Sequence, residues 1–254
     1  LGDVYKRQGT FDGGGKTISN LTVHHPTPGS GLFGNVQDAT IKNFTVENAS
    51  INGSGKWTAV VIGFANQGLT VEDVNVNNSS INMTNPDGAV KLAGIVSFAS
   101  GGFSGDIILK GCTVTDLAIN GGCWNHGGLA GYIFQAKSFK VENCTVSNIK
   151  IKISEKQGGK ASYNSPFIGC FNNTASASDA STAVFKGNSV QGYYEFDGTA
   201  DDLGTFNIIN ASEINNANYA DFVCAPWFGD SDATMPITID ENIYTKKNGK
   251  YTSQ

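Results

Sequence analysis

Arginine occurs once in this chain, at Arg7, and charged residues make up only 15% of its 254 positions. That is well below the usual quarter. The net charge is -5, so the chain lacks the basic excess that a nucleic-acid partner requires. It also lacks any apolar run near the ~18 residues of a membrane-crossing helix, and we expect no membrane insertion in this segment. Disorder is disfavoured for the opposite reason: 39% of residues are hydrophobic. The five cysteines (Cys112, Cys123, Cys144, Cys170, Cys224) form no CxxC pair, and only three histidines accompany them. Zinc-site spacings are therefore missing, and we expect no metal and no cofactor. His24 and His25 are adjacent but have no evident third ligand. What the chain has in excess is glycine, at 32 residues.

An eleven-residue unit organises the rest. It reads IKNFTVENASI from Ile41 to Ile51, VEDVNVNNSSI from Val71 to Ile81, LKGCTVTDLAI from Leu109 to Ile119 and VENCTVSNIKI from Val141 to Ile151. A weaker copy starts at Phe185. A fragment, Ile18 to Val23, matches the first six places. Starts recur at intervals of 23 to 44 residues. Apolar residues hold the first, fourth, sixth and eleventh places, and the ninth is small or apolar. Phe44 and Val46 alternate with Thr45 and Glu47, which is the period of a strand, and β-branched residues dominate.

A short apolar segment containing glycine precedes each unit: GLFG from Gly31, VVIGF from Val60, LAGIV from Leu92, GLAGY from Gly128 and PFIGC from Pro166. Phe222 to Ala225 offers a sixth. Glycine inside a strand costs about 0.5–1 kcal/mol relative to alanine. Its recurrence at matched places predicts close approach of backbone at a tight corner.

These features predict stacked coils, each of two or three short strands, about 4.8 Å apart. Ile41, Val71, Leu109, Val141 and Phe185 would form one interior row. Val46, Val76, Val114, Val146 and Val190 would form another, and Phe44, Val74, Cys112 and Cys144 a third. Cys112 and Cys144 are read first as small core residues and second as a candidate disulfide. At the eighth place stand Asn48, Asn78, Asp116 and Asn148. They are expected to form a structural asparagine ladder at a left-handed turn.

With these residues in view, the chain resembles a right-handed parallel β-helix of pectin-lyase-like architecture. GTFDGGGKTISNLTV, from Gly9 to Val23, is similar to the first coil of such proteins. GLFG at 31–34 and GGLAGY at 127–132 resemble the GLUG repeat of secreted, adhesin-like surface proteins of gut Bacteroidetes. The resemblance covers residues 9–196. It implies an all-β solenoid with variable-length coils, followed over 197–254 by an irregular last coil and C-terminal cap. Residues 1–8, LGDVYKRQ, resemble translated adaptor read-through and are expected to lie outside the fold.

Enzymes of this architecture cut polysaccharides, using carboxylate ligands with a basic residue, or paired aspartates with Gly-His-Gly. Here Asp201 and Asp202 fall in a polar stretch outside the repeat, and His126 sits in NHGG. Glu72 and Glu142 share the second place two coils apart, about 10 Å, just beyond the span of a glycosidase pair. A non-catalytic, secreted or cell-surface segment of a larger bacterial protein is the leading expectation, as a stalk or as a face for glycans or host surface proteins. A polysaccharide lyase or glycoside hydrolase on the same fold is the alternative. A trimeric phage fibre is a third. The candidate binding residues are Trp57, Trp124 and Tyr163, which recur six or seven residues before Gly63, Gly131 and Gly169. Rings in such a row can stack on sugars.

Overall fold

The computed structural model describes residues 7–25, 28–83, 90–102, 104–122, 124–155, 163–172, 182–196, 198–207, 237–239, 242–247 and 250–253. These residues form a β-solenoid of parallel stacked coils, with no helix among them. Cys123, Cys224 and the segment 222–225 lie outside them.

The eleven-residue units stack place upon place. They fall in β3 (Phe33–Glu47) with β4 (Ser50–Gly53), in β6 (Ile62–Met83), in β9 (Asp106–Lys110) with β10 (Thr113–Gly122), in β13 (Ser138–Glu142) with β14 (Thr145–Glu155), and in β17 (Thr182–Lys186) with β18 (Ser189–Phe196). Ile41 pairs with Val71, Val71 with Leu109, Leu109 with Val141, and Val141 with Phe185. Val46, Val76, Val114, Val146 and Val190 pair in the same succession. Every member of both rows is buried. In-register stacking sets each apolar side chain on its counterpart, which makes the interior continuous although no single coil could enclose one. Phe44 pairs with Val74. Cys112 and Cys144 are buried, and their thiols are free.

The corners are set by left-handed backbone at the third and eighth places. The third-place residues Asn43, Asp73 and Asn143 have φ of 62°, 52° and 53°, and Gly111 and Gly187 have φ of 62° and 63°. The eighth-place residues Asn48, Asn78, Asp116 and Asn148 have φ of 52°, 44°, 53° and 55°. Asparagine, aspartate and glycine are the residues that enter this region at least cost.

The two corners lie five places apart, which explains one correction. Ile18 pairs with Val46, the sixth place, and Val23 with Ile51, the eleventh. The fragment from Ile18 to Val23 is therefore shifted by five places from the alignment its sequence suggests. Each corner residue is followed by an apolar place and preceded by an apolar residue two positions back, so a five-residue slip preserves the pattern. Phe11 of β1 (Arg7–Ser19) holds the true first place, opposite Ile41. The glycines between Asp12 and Lys16 form the bulge that hid it. Arg7 and Gln8 begin this strand, and Arg7 pairs with Val36.

A second correction concerns the glycine segments. Ile62, Val96, Ala130 and Ile168 stack, so the residue above Gly63 is Ser97 and not Gly94. Gly94 belongs to another column, where it donates its amide hydrogen to the carbonyl of Gly128. The close-approach argument holds where glycine does occupy the column. A Cβ on Gly131 would lie 2.6 Å from the Ser97 carbonyl oxygen. At Ser97 the hydroxyl turns to the Lys91 carbonyl, to which it donates a short hydrogen bond.

Beyond the repeats, β19 (Thr199–Asn207) folds back antiparallel on β18 and sets Asp201 and Asp202 opposite Tyr194 and Tyr193. The polar stretch is a strand because its hairpin partner supplies the pairing that its own composition does not announce. β20 (Ile237–Ile239) adds in parallel to β17, and β21 (Asn242–Lys247) and β22 (Lys250–Ser253) follow antiparallel.

Candidate functional site

The long sheet meets a small one at a corner. The small sheet contains β5 (Trp57–Ala59), β7 (Val90–Ala93), β11 (Trp124–Gly127) and β15 (Tyr163–Ser165). Facing it are β6, β8 (Val96–Ser100), β12 (Ala130–Phe134) and β16 (Ile168–Asn172) of the long sheet. Along this second group Phe64 pairs with Phe98, and Phe98 with Tyr132. Ala65, Ala99 and Ile133 are buried in the core, so strand alternation turns their neighbours Phe64, Phe98 and Tyr132 outward.

The rings form a continuous half-buried ridge. Phe64 and Phe98 have centroids 5.1 Å apart, and Phe98 and Tyr132 are stacked at 5.3 Å. Phe134 stacks on Tyr132 at 5.6 Å. Trp57 joins from the small sheet, 4.7 Å from Phe64 and 5.3 Å from Phe98. These are the separations at which aromatic pairs attract.

The three rings named from the sequence are not one column. Trp57 pairs with Lys91, Lys91 with Asn125, and Asn125 with Tyr163. Trp124 is one place earlier, opposite Val90. That is the meaning of its seven-residue spacing. Trp57 and Trp124 nevertheless meet the same cluster, because Lys91 lies between them. Its ammonium is 4.0 Å from the Trp124 ring centroid, 5.0 Å from Phe98 and 5.2 Å from Tyr132. The side chain of Tyr163 lies outside the described residues. Lys91 is 5% exposed, and burial lowers its pKa to about 8. The Cys170 thiol, in the column after Tyr132, is pushed up to about 12, again by burial.

Inside the corner, His126 is fully buried. Its Nε2–H donates to the Gly122 carbonyl at 2.6 Å, which leaves Nδ1 bare with no partner among the described residues. Desolvation lowers its pKa to about 4.

The other named residues lie elsewhere. Asn78 donates to the Asn48 side-chain oxygen at 2.7 Å, and Asn148 to Asp116 at 2.9 Å. Lys110 lies between Glu72 and Glu142 in register, and the second-place column runs Asp12, Lys42, Glu72, Lys110, Glu142, Lys186. His24 is exposed on β2 (Thr22–His25), opposite Asn52. Where the β18–β19 hairpin leaves the stack, a depression of about 320 Å³ opens between Asn120, Lys150, Lys152 and Glu195. Lys150 is committed there to Glu195 at 3.3 Å. Among the described residues no three of His, Cys, Asp or Glu gather in a way that would hold a metal ion.

Compared with family models, curated proteins and solved structures, the chain matches none of them.

The sequence reasoning missed Lys91, Phe64, Phe98, Tyr132 and Phe134. A signal for part of the ridge was present: IGF, VSF and AGY end alike at Phe64, Phe98 and Tyr132. Aligning Gly94 with Gly63 concealed it, because that choice shifts Phe98 out of the row.

Proposed function

We propose that this chain is a non-catalytic extracellular segment whose rigid solenoid presents an aromatic ridge to glycans. The observation that carries this reading is the unbroken row Trp57, Phe64, Phe98, Tyr132 and Phe134, half-buried and outward-facing. Flat rings held at fixed spacing cover the apolar faces of sugar rings with little loss of side-chain entropy, since their neighbours already immobilise them. Continuous strand pairing supplies the rigidity. Location at a bacterial surface is suggested by the resemblance of GLFG and GGLAGY to the GLUG repeat of adhesin-like proteins.

The carboxylates support binding over catalysis. Asp12 and Glu72 lie beside lysines on exposed strands, at 3.6 Å and 2.7 Å, and Glu195 is held by Lys150. The Gly14 amide and Lys42 beside Asp12, and Lys110 beside Glu72, hold these two carboxyls below the usual carboxylate range, whereas a glycosidase needs one of its two acids protonated. The test is a glycan array probed with the wild-type chain and with Trp57→Ala plus Trp124→Ala. Binding that is lost in the double variant, with unchanged thermal unfolding, supports the reading. No binding by the wild type, or undiminished binding by the variant, overturns it.

A further inference from the structure

Lys91 occupies an unusual place for a cation. It is 5% exposed, on the middle of the small sheet, between Trp57 of one coil and Asn125 of the next. Three ring faces, those of Trp124, Phe98 and Tyr132, surround its ammonium at 4.0–5.2 Å. The ionisable groups that act on it are the Cys170 thiol and a second cation, Lys56. Lys56 is exposed and adjoins it directly: the Lys91 amide donates to the Lys56 carbonyl.

A ring face returns less to a cation than the loss of water costs. As a space-filler between aromatic rings, a leucine or methionine would be the more stable choice. Two lysines on adjoining coils, close enough for one charge to act on the other and each beside a tryptophan, therefore ask for a role that only positive charge can fill. The lysine stem is long and flexible, so the ammonium can leave the ring faces for a group arriving at the lip of the corner.

We propose that the saccharide taken by the aromatic ridge carries an anionic group, a carboxylate or a sulfate, and that Lys91 and Lys56 bind it while Trp57 and Trp124 stack on the sugar rings. This inference rests on the glycan reading above. Lys56 attracts the anion from solvent. Lys91, 5% exposed among the rings, gives the contact that a low-dielectric surround strengthens. Asn125, buried on the next coil, stands in the same column.

The experiment titrates the full chain calorimetrically with lactose, sialyllactose and sulfated lactose, at about 10 mM and about 150 mM salt, so that screening lengths of roughly 30 Å and 8 Å are compared. We expect one or both anionic probes to bind at least about tenfold more tightly than lactose, with the difference shrinking at the higher salt. The arm that wins tells carboxylate from sulfate. Lys91→Met should bring the anionic probe down to the affinity of lactose, and Lys91→Arg should retain a preference for the anion. Equal affinity for neutral and anionic probes overturns the inference and leaves the glycan reading standing. An anionic preference that survives Lys91→Met combined with Lys56→Gln also overturns it. Failure of all three probes, together with a blank glycan array, overturns both.

Discussion

The Lys110 ammonium lies 2.7 Å from Glu72 Oε1, one coil away along an exposed column whose charges alternate in sign from Asp12 to Lys186. Lys42 and Lys110 each stand in register between two acids, and Glu72 and Glu142 each between two cations. The Lys110 pKa is raised and that of Glu72 lowered, each chiefly by their mutual hydrogen bond. An isolated exposed pair contributes little. A column of alternating sign contributes to register, because slipping a strand by one coil would set like charges face to face.

Reversing one charge should therefore matter more than removing it. Lys110→Gln is expected to leave the unfolding temperature nearly unchanged. Lys110→Glu, which stacks three acids, should lower it, with most of the loss recovered at about 1 M salt, where screening reaches ~3 Å. Thermal denaturation at low and high salt, followed by circular dichroism, decides the matter. Equal effects of the two variants would remove the argument.

Asn78, with φ of 44°, is held by its bond to Asn48 and by the left-handed corner. Asn78→Ala should cost about 1–2 kcal/mol, because alanine meets the left-handed strain without the polar side chain that offsets it in asparagine. Asn78→Gly removes the strain and the ladder bond together, so it should cost less than alanine. Urea unfolding of the two variants gives the order. If alanine is no worse than glycine, hydrogen bonding and not backbone conformation holds the corner.

Much of this architecture was legible because one physical demand recurs at every coil. Val46, Val76, Val114 and Val146 must be apolar to lie over one another, and no other arrangement uses all four. The register of the first coil was not legible, because Asn20 and Asn43 serve equivalent corners five places apart and the glycines before Lys16 disguise the true start. The ridge was legible only in part. Trp57 is prominent in any reading of the sequence. Lys91, though, gains its meaning from Trp124, which is far along the chain and one place out of column. Contacts between coils of unequal length depend on where loops insert, and the spacing of residues along the chain does not carry that information.

His126 should make the protein sensitive to acid. Its folded pKa, about 4, lies below the 6.5 of the unfolded chain because burial disfavours the imidazolium. Between these values the unfolded state binds more protons. The contribution is therefore whole above pH 6.5 and is lost as pH falls towards 4, by about 3 kcal/mol in total. His126→Gln should flatten that part of the stability profile. Urea titrations from pH 7 to pH 4 on both proteins test it, and parallel profiles would show that the imidazole is not the source.

Lys91 should act at the alkaline end, and with the opposite economy to a paired lysine. Its folded pKa of about 8 lies below the 10.5 of an ordinary lysine. Below pH 8 the protein holds a buried ammonium at a cost of about 3 kcal/mol, a cost relieved as pH rises from 8 to 10.5. The Cys170 thiol works against this gain. Its pKa, raised to about 12 by burial, means that stability declines from pH 9 upward as the unfolded thiol ionises. The profile of the wild type alone would blur the two. The difference between wild type and Lys91→Met reads the amine most cleanly between pH 8 and pH 9, before the thiol of the unfolded chain ionises; above that it also carries the coupling of the two groups, since Lys91 itself lowers the Cys170 pKa. We expect Lys91→Met to be the more stable protein at pH 7, with its advantage narrowing steadily above pH 8. If the variant is less stable at pH 7, the three ring contacts outweigh desolvation, and Lys91 is a staple of the corner, not a charge held there for a ligand.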